Sequence, residues 1–361
     1  MGYVAVQGGT TAIESSRKLN RYLRLRGPSA PLTISQIMEQ MGPLVDRVMG
    51  EGGLYSPFHA ALAIKQASGD PIEAAFLLRA YRSTLRRLVD SVPVGTEEMR
   101  IERRISAAFK TIPGGQVLGS TSDYEQRILD FSLAEETVET QKEVVHDFEA
   151  GLCGEGSDRG EFRKVVEMLR EQGLVPPVPE RTAEEPTDVT QQSATFPLDR
   201  SGRLQMLARA ETGGVLALAY SSMRGYGSIH PTVGELRVGK VSVQIPHPWR
   251  DGAFVTLGSV SITEVEIVAS VQRASEKAQP AFTLGYGSCF GHNEVKAISL
   301  GVLDRAMKTM SPGAPAEDHE FVLLHTDGVE SSGFCSHFKL PHYVTFQADL
   351  DRLRAMRESQ E

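Results

Sequence analysis

The closing stretch His337-Phe-Lys-Leu-Pro-His342 sets two histidines with four residues between them. That falls within the H-x(3–5)-H spacing of zinc sites, and the intervening proline keeps both off one regular helix. Zinc normally takes three or four protein ligands, so a site built on this pair draws the rest from His325, Asp327, Cys335 or a second subunit. Two ordinary histidines beside a strand edge are the other reading. Upstream, Gly285-Tyr-Gly287-Ser-Cys-Phe-Gly291-His-Asn-Glu294 leads into a helical pattern. Glycines ahead of a helix N-terminus let backbone amides approach a phosphate, where the helix dipole helps. The spacing is not that of the dinucleotide fingerprint, and no lysine follows as in a P-loop. A tight strand-to-helix turn explains the same residues.

Two further loops carry polar chemistry. His325-Thr-Asp327-Gly328-Val-Glu330-Ser-Ser-Gly333 follows an apolar run and holds an imidazole, two carboxylates and three hydroxyls. Arg224-Gly-Tyr-Gly-Ser-Ile-His230-Pro231 offers an Arg and a His among glycines, either to clamp phosphate or to turn the chain. The G-x-S-x-G elbow, H-E-x-x-H and Walker A motifs are absent, which disfavours serine hydrolase, zincin and P-loop chemistry.

The elements that must position these groups divide into two styles. Helical signals fill the first half: a Thr33/Gln36 capping box, Ser56 as N-cap before Pro57, and Asp70 as N-cap before Pro71 with Glu73 in the first turn. The helix predicted over Pro71–Leu88 carries Arg79, Arg82 and Arg86 as a ridge, a place for a triphosphate or a solvated, partner-facing surface. Residues 113–120 read as a turn or binding loop, and helical patterns return through about 133 and over 135–150 and 159–172. Five prolines lie between Pro176 and Pro197, marking a surface linker. Beyond it, Val215–Tyr220, Leu236–Ile245, Phe254–Leu257, Ile262–Val268 and Phe321–Leu324 read as strands. Ala297–Met307 and Gln347–Arg357 read as helices. The expectation is an α+β chain with a helical domain over 1–175, a linker over 176–200 and a second domain over 201–361. The first half is helical, and a mixed sheet with helices fills the second.

Composition narrows the class. No apolar run reaches the roughly 20 residues that span a bilayer, and the opening residues lack a secretory layout, so a cytoplasmic location with no membrane partner is expected. Three scattered cysteines, Cys153, Cys289 and Cys335, exclude a disulfide framework and a self-contained iron–sulfur cluster. The net charge of −8 argues against bulk attraction to nucleic acid. Residues 1–120 nevertheless hold 15 Lys and Arg against 10 Asp and Glu, suiting a phosphate ligand or an acidic partner face.

Read in order, several of these pieces resemble one family. Tyr3-Val-Ala-Val-Gln-Gly-Gly9, Leu62-Ala-Ile-Lys-Gln66, Ala75-Phe-Leu-Leu-Arg-Ala-Tyr-Arg82, Arg104-Ile-Ser106 and Pro113-Gly-Gly115 are similar to PhnI subunits of the carbon–phosphorus lyase machinery. So are Arg224-Gly-Tyr-Gly227, Gly285-Tyr-Gly287 and His337-Phe-Lys-Leu-Pro-His-Tyr-Val344. Gln7 and Gly328 depart from the family pattern, where a lysine and a polar residue are expected. The resemblance implies phosphonate catabolism alongside PhnG, PhnH, PhnJ, PhnL and PhnK subunits. It implies displacement of adenine from ATP by methylphosphonate, giving ribose 1-methylphosphonate 5-triphosphate, with purine nucleosidase activity when water is the nucleophile. Carbon–phosphorus cleavage itself belongs to the radical partner PhnJ. The resemblance also assigns Zn2+ at a subunit boundary to His337 and His342. Residue chemistry, separately, assigns the anion beside the sugar to Asp327 and the purine side to His325. It places the phosphates on Arg224, Gly285, Gly287 and Gly291. A scaffold subunit whose metal and arginines serve interfaces is the alternative.

Overall fold

A computed structural model describes residues 9–151, 162–178, 185–224, 230–272, 279–309, 312–339 and 343–360. The first half runs α1 (Thr10–Leu25), α2 (Ile34–Gln40), α3 (Gly42–Gly52), α4 (Pro57–Gln66), α5 (Pro71–Thr84), β1 (Arg100–Ile105), α6 (Val138–Gly151) and α7 (Val165–Glu171). The second half begins with α8 (Arg200–Arg209), α9 (Thr212–Met223), β2 (Thr232–Pro246), β3 (Phe254–Gln272) and β4 (Ala281–Phe290). It ends with α10 (Glu294–Ala306), α11 (His319–His325), α12 (Gly328–His337) and α13 (Tyr343–Glu358). The fold is α+β, with one four-stranded antiparallel sheet in the order β1-β2-β3-β4. No helix among the described residues is long and apolar enough to cross a membrane.

The helix starts follow local chemistry. Thr33 and Gln36 complete their capping box, and the Ser56 and Asp70 side chains accept amides of the first turns of α4 and α5. Ile37, Val48, Met49, Ala60, Ile64, Ala74 and Leu78 then close a small helical core, with Phe290 of the sheet packed against it. The main core lies between one sheet face and α8, α9 and α10, around Leu207, Val215, Val265, Ile267, Leu300, Leu303 and Leu323.

Several predicted elements differ from those observed. Val215–Tyr220 lies in α9, because Glu211 caps the amides of Gly213 and Gly214 and the following Leu-Ala-Leu-Ala prefers a helix. Phe321–Leu324 lies in α11, whose start is fixed by the Asp318 cap. Phe254–Leu257 and Ile262–Val268 are one strand, with a register shift where Gly258 opposes Val243. Helix α5 stops at Thr84, so Arg86 lies beyond it, exposed. Strand β1, with the sequence Arg-Ile-Glu-Arg-Arg-Ile, had no apolar signature. Its Arg104 is fully buried and ion-paired to the equally buried Glu235. Through β1 the first half enters the sheet, while α7 packs on β2 from the same side of the proline-rich segment.

Glycines set the distance between α10 and the sheet. Gly285 and Gly287 are interior positions of β4, not part of a loop. A Cβ on Gly285 would stand 2.0 Å from the Gly301 carbonyl oxygen, and one on Gly287 would stand 2.1 Å from that of Ala297. Their role in the fold is therefore close helix–strand contact.

Candidate functional site

Four elements bring five cationic side chains to one junction. Arg79 and Arg82 project from α5, Arg209 from the last turn of α8, Arg47 from α3 and the fully buried Lys296 from α10. Three carboxylates answer them: Glu51, Glu211 and Asp327. Arg79 Nη1 donates to Asp327 Oδ2 at 2.7 Å and its Nη2 to the Glu51 carbonyl at 2.7 Å. Asp327 is also the N-cap of α12, accepting the amides of Val329 and Glu330. Arg209 Nη2 stands 3.8 Å from the same Asp327 oxygen, and Arg82 Nη1 donates to the Gly53 carbonyl at 3.5 Å.

The opposite side of the junction is better compensated. Buried Glu51 accepts from Arg47 Nε at 2.9 Å and from both the amide and hydroxyl of Thr212. Arg47 also pairs with Glu211, which caps α9 through the Gly213 and Gly214 amides. Gly328 belongs to this packing, since a Cβ there would stand 2.5 Å from Glu211 Cβ.

Positive charge is in excess where Arg79, Arg82 and Arg209 meet. Among the described residues, Arg79 Nε, Arg209 Nε and Lys296 Nζ are buried with no hydrogen-bond partner. Burial, and then the nearby Arg79, push the Arg82 and Arg209 guanidiniums below their ordinary pKa values. Burial likewise pushes the Lys296 ammonium down. Guanidinium groups that share one carboxylate and retain unsatisfied donors form a receptor for an oxyanion, and phosphate suits their planar fork.

The other predicted groups are placed differently. His325 is exposed at the end of α11, stacked on Phe321, with Nδ1 2.7 Å from the Phe321 carbonyl. Arg224 is exposed just past α9, and the loop 225–229 after it lies outside the described residues. Gly291 adopts a positive φ at the β4–α10 turn, but its amide already donates to the Ser261 carbonyl. The next two amides donate to Asp46 and Thr263, so chain groups fill the place predicted for a phosphate. His337 ends α12 with Nδ1 directed at the Phe334 carbonyl. His342 lies outside the described residues, and no group of three His, Cys, Asp or Glu side chains able to hold a metal occurs among them. Asp327, one of the predicted further ligands, is committed to Arg79.

A second polar cluster lies on the sheet face opposite α10. Glu264 accepts from Lys164, Thr96 and Tyr286 and pairs with Arg237. Its neighbour Glu266 has a buried Oε2 with no partner among the described residues, and burial pushes this carboxyl up to about 7. Arg237 and its neighbours hold Glu264 below the usual range, although burial acts against them.

The sequence reading found the ridge and Asp327 separately and missed Arg47, Glu51, Arg209, Glu211 and Lys296. A local signal existed, since Glu51-Gly-Gly and Glu211-Thr-Gly-Gly both set a carboxylate just before paired glycines.

Comparison with known proteins adds to this geometry. The sequence model of a family described as "Bacterial phosphonate metabolism protein (PhnI)" matches residues 2–360. A "Putative C-P lyase subunit protein HtxH" of Stutzerimonas stutzeri is 52% identical over 99% of this chain and 96% of its own length. Proteins called "Alpha-D-ribose 1-methylphosphonate 5-triphosphate synthase subunit PhnI" are 44% identical in Escherichia coli (strain K12) and 45% in Rhizobium meliloti (strain 1021). The former alignment covers 99% of both chains, the latter 98% of this one and 95% of the relative.

Proposed function

This chain belongs to the PhnI family of carbon–phosphorus lyase subunits in phosphonate metabolism, and from that premise we propose that it catalyses glycosyl transfer at C1′ of ATP. The C1′–N9 bond to adenine breaks, with its electron pair leaving on the purine, which takes up a proton. A methylphosphonate oxygen forms the new bond to C1′, giving ribose 1-methylphosphonate 5-triphosphate with the triphosphate intact. With water as nucleophile the products are adenine and ribose 5-triphosphate. The names of the relatives support the synthase reading.

The observation that carries a role for this chain's own residues is the convergence of Arg79 and Arg209 on one carboxylate, with Arg82 beside them and buried donors left over. In this reading they hold the triphosphate, replacing Arg224 and the Gly285–Gly291 run as the clamp. Remote binding energy of this kind holds the sugar in register for a reaction at C1′. Asp327 orients the guanidiniums, so the anion facing the developing oxocarbenium is another group. His325, exposed two residues before Asp327, serves the purine side.

The reaction engages PhnG, PhnH and PhnL subunits, with PhnJ and PhnK completing the assembly. His337 and His342 would hold Zn2+ with ligands from a partner, as the H-x(4)-H spacing and the family resemblance suggest. An ion held there would tie the subunits together. A scaffold role without catalysis is the second reading, favoured by the exposed apolar side chains of α6.

The experiment is to incubate the purified chain with ATP, with and without methylphosphonate and the partner subunits, and measure free adenine. Adenine release, coupled to a ribosyl phosphonate when the partners are present, supports glycosyl transfer. No adenine under any condition leaves the scaffold reading.

A further inference from the structure

A cavity of about 450 Å3 opens between the C-terminal ends of α1 and α4 and shares no lining residue with the arginine junction. Its volume falls within the roughly 300–1,000 Å3 of small-molecule sites. Local sequence keeps the space open. Residues 26–33, between α1 and α2, form no regular element. There Pro28 and Pro31 fix φ and remove two amide donors, which favours an extended connector over another helical turn. Lys65 Nζ tethers that connector, donating to the Leu32 carbonyl at 2.5 Å. On the α4 side Ser68 and Gly69 both take positive φ, so the chain turns sharply after the helix ends at Gln66.

The walls combine two chemistries. Ile37 and Ile64, 2% and 3% exposed, form an apolar floor, and the exposed Leu25, Leu32 and Met41 form the rim. Among the described residues lining the cavity, Arg24 and Lys65 alone are ionisable, and the Ser29 and Ser68 hydroxyls join them. Beyond its bond to Leu32, the Lys65 ammonium keeps two N–H donors for a ligand. The C-terminal ends of α1 and α4 each bring about half a negative charge, which two full cations outweigh. The site therefore favours an anionic head and an apolar body.

We propose that this cavity binds an amphiphilic organic anion, with a phosphonate or carboxylate head on an alkyl or aryl body. The head takes Arg24, Lys65 and the two hydroxyls, and the body lies on Ile37 and Ile64 beneath the rim. Such an occupant bridges α1, none of whose residues is buried, to the small helical core. Methylphosphonate is too short to cover the apolar floor, so this site is distinct from one for the nucleophile at C1′.

The test uses the full chain, labelled with 13C at its methionine methyls and titrated with octylphosphonate. The Met41 resonance is assigned with Met41→Leu. The expected result is a saturable shift of the Met41 methyl with a submillimolar Kd. Butylphosphonate should bind about 20-fold or more weakly, since each buried methylene contributes roughly four-fold. Octanol, which has the same body without the charge, should bind about 10-fold or more weakly. Arg24→Gln/Lys65→Gln should weaken octylphosphonate by about 10-fold or more. Arg24 is exposed, so Arg24→Gln alone, with the Lys65 tether intact, should keep the fold and lose about five-fold. Millimolar ATP should leave the Met41 shift in place, which separates this site from the arginine junction whether or not that junction binds triphosphate. A Met41 methyl that stays still, octanol binding as tightly as octylphosphonate, affinity unchanged in both variants, or displacement by ATP would overturn the proposal.

Discussion

Arg79 Nη1 and Asp327 Oδ2 lie 2.7 Å apart although 248 residues separate them in the chain. The pair joins α5 to the start of α12, and Asp327 also caps α12. Each side chain is only about one-seventh exposed, so solvent screens the interaction weakly.

Breaking it should be costly. Asp327→Asn is expected to lower stability by on the order of 2–4 kcal/mol, since Arg79 is left largely buried beside Arg82 and Arg209 without its counter-ion. Urea denaturation checks this, and a double-mutant cycle with Arg79→Met should show a coupling of at least about 1 kcal/mol. Phosphate or ATP should stabilise Asp327→Asn more than the unaltered chain, because the anion replaces the missing charge.

A methyl group at Gly287 should separate a packing role from a phosphate-binding one. Its Cβ would meet the Ala297 carbonyl oxygen at 2.1 Å, so α10 has to move. Gly287→Ala is expected to cost about 3 kcal/mol by thermal or urea unfolding, while folded protein keeps an unchanged KM for ATP.

Glu266 gives a pH dependence with a definite sign. Burial raises its folded pKa to about 7 from the ordinary 4.5. Between these values the folded state holds a proton that the unfolded state has lost, so stability falls as pH rises through this window. Above pH 7 the full penalty, on the order of 3 kcal/mol, is present. Glu266→Gln should therefore be more stable than the unaltered chain at pH 8, and the difference should shrink toward pH 5. A difference that does not change with pH would sink this account of Glu266.

Zinc content should depend on assembly. The purified complex is expected to carry zinc by elemental analysis, with a marked loss in His337→Ala. The isolated chain, which offers only part of the ligand set, should lose zinc to a mild chelator.

What the sequence made legible was local. The caps of α2, α4 and α5 depend on residues within one turn, and all three stand where the spacing put them. The long strands β2 and β3 showed through their β-branched content. Strand β1 was hidden because its burial is of arginines, which become compatible with a core only through Glu235 and Glu294 far along the chain. Helix α9 was misread because an apolar run between glycines fits either element, and the deciding Glu211 cap lies outside the run. Asp327 was picked out by its loop, but its role depends on Arg79, which only tertiary structure supplies. Gly285 and Gly287 alternate with larger residues as strand positions should, a period overlooked beside their resemblance to a binding loop.

The most direct test of the triphosphate clamp uses Arg82, which among the described residues of the cluster donates to the Gly53 carbonyl at 3.5 Å. The measurement is kcat/KM for adenine release from ATP and from adenosine, in the unaltered complex and in Arg82→Gln. The account predicts that the preference for ATP falls about 10- to 100-fold, as expected for loss of one charge-assisted contact. The adenosine value should stay unchanged. Equal losses for both substrates, or an unaltered preference, would contradict the placement of the triphosphate at Arg79, Arg82 and Arg209.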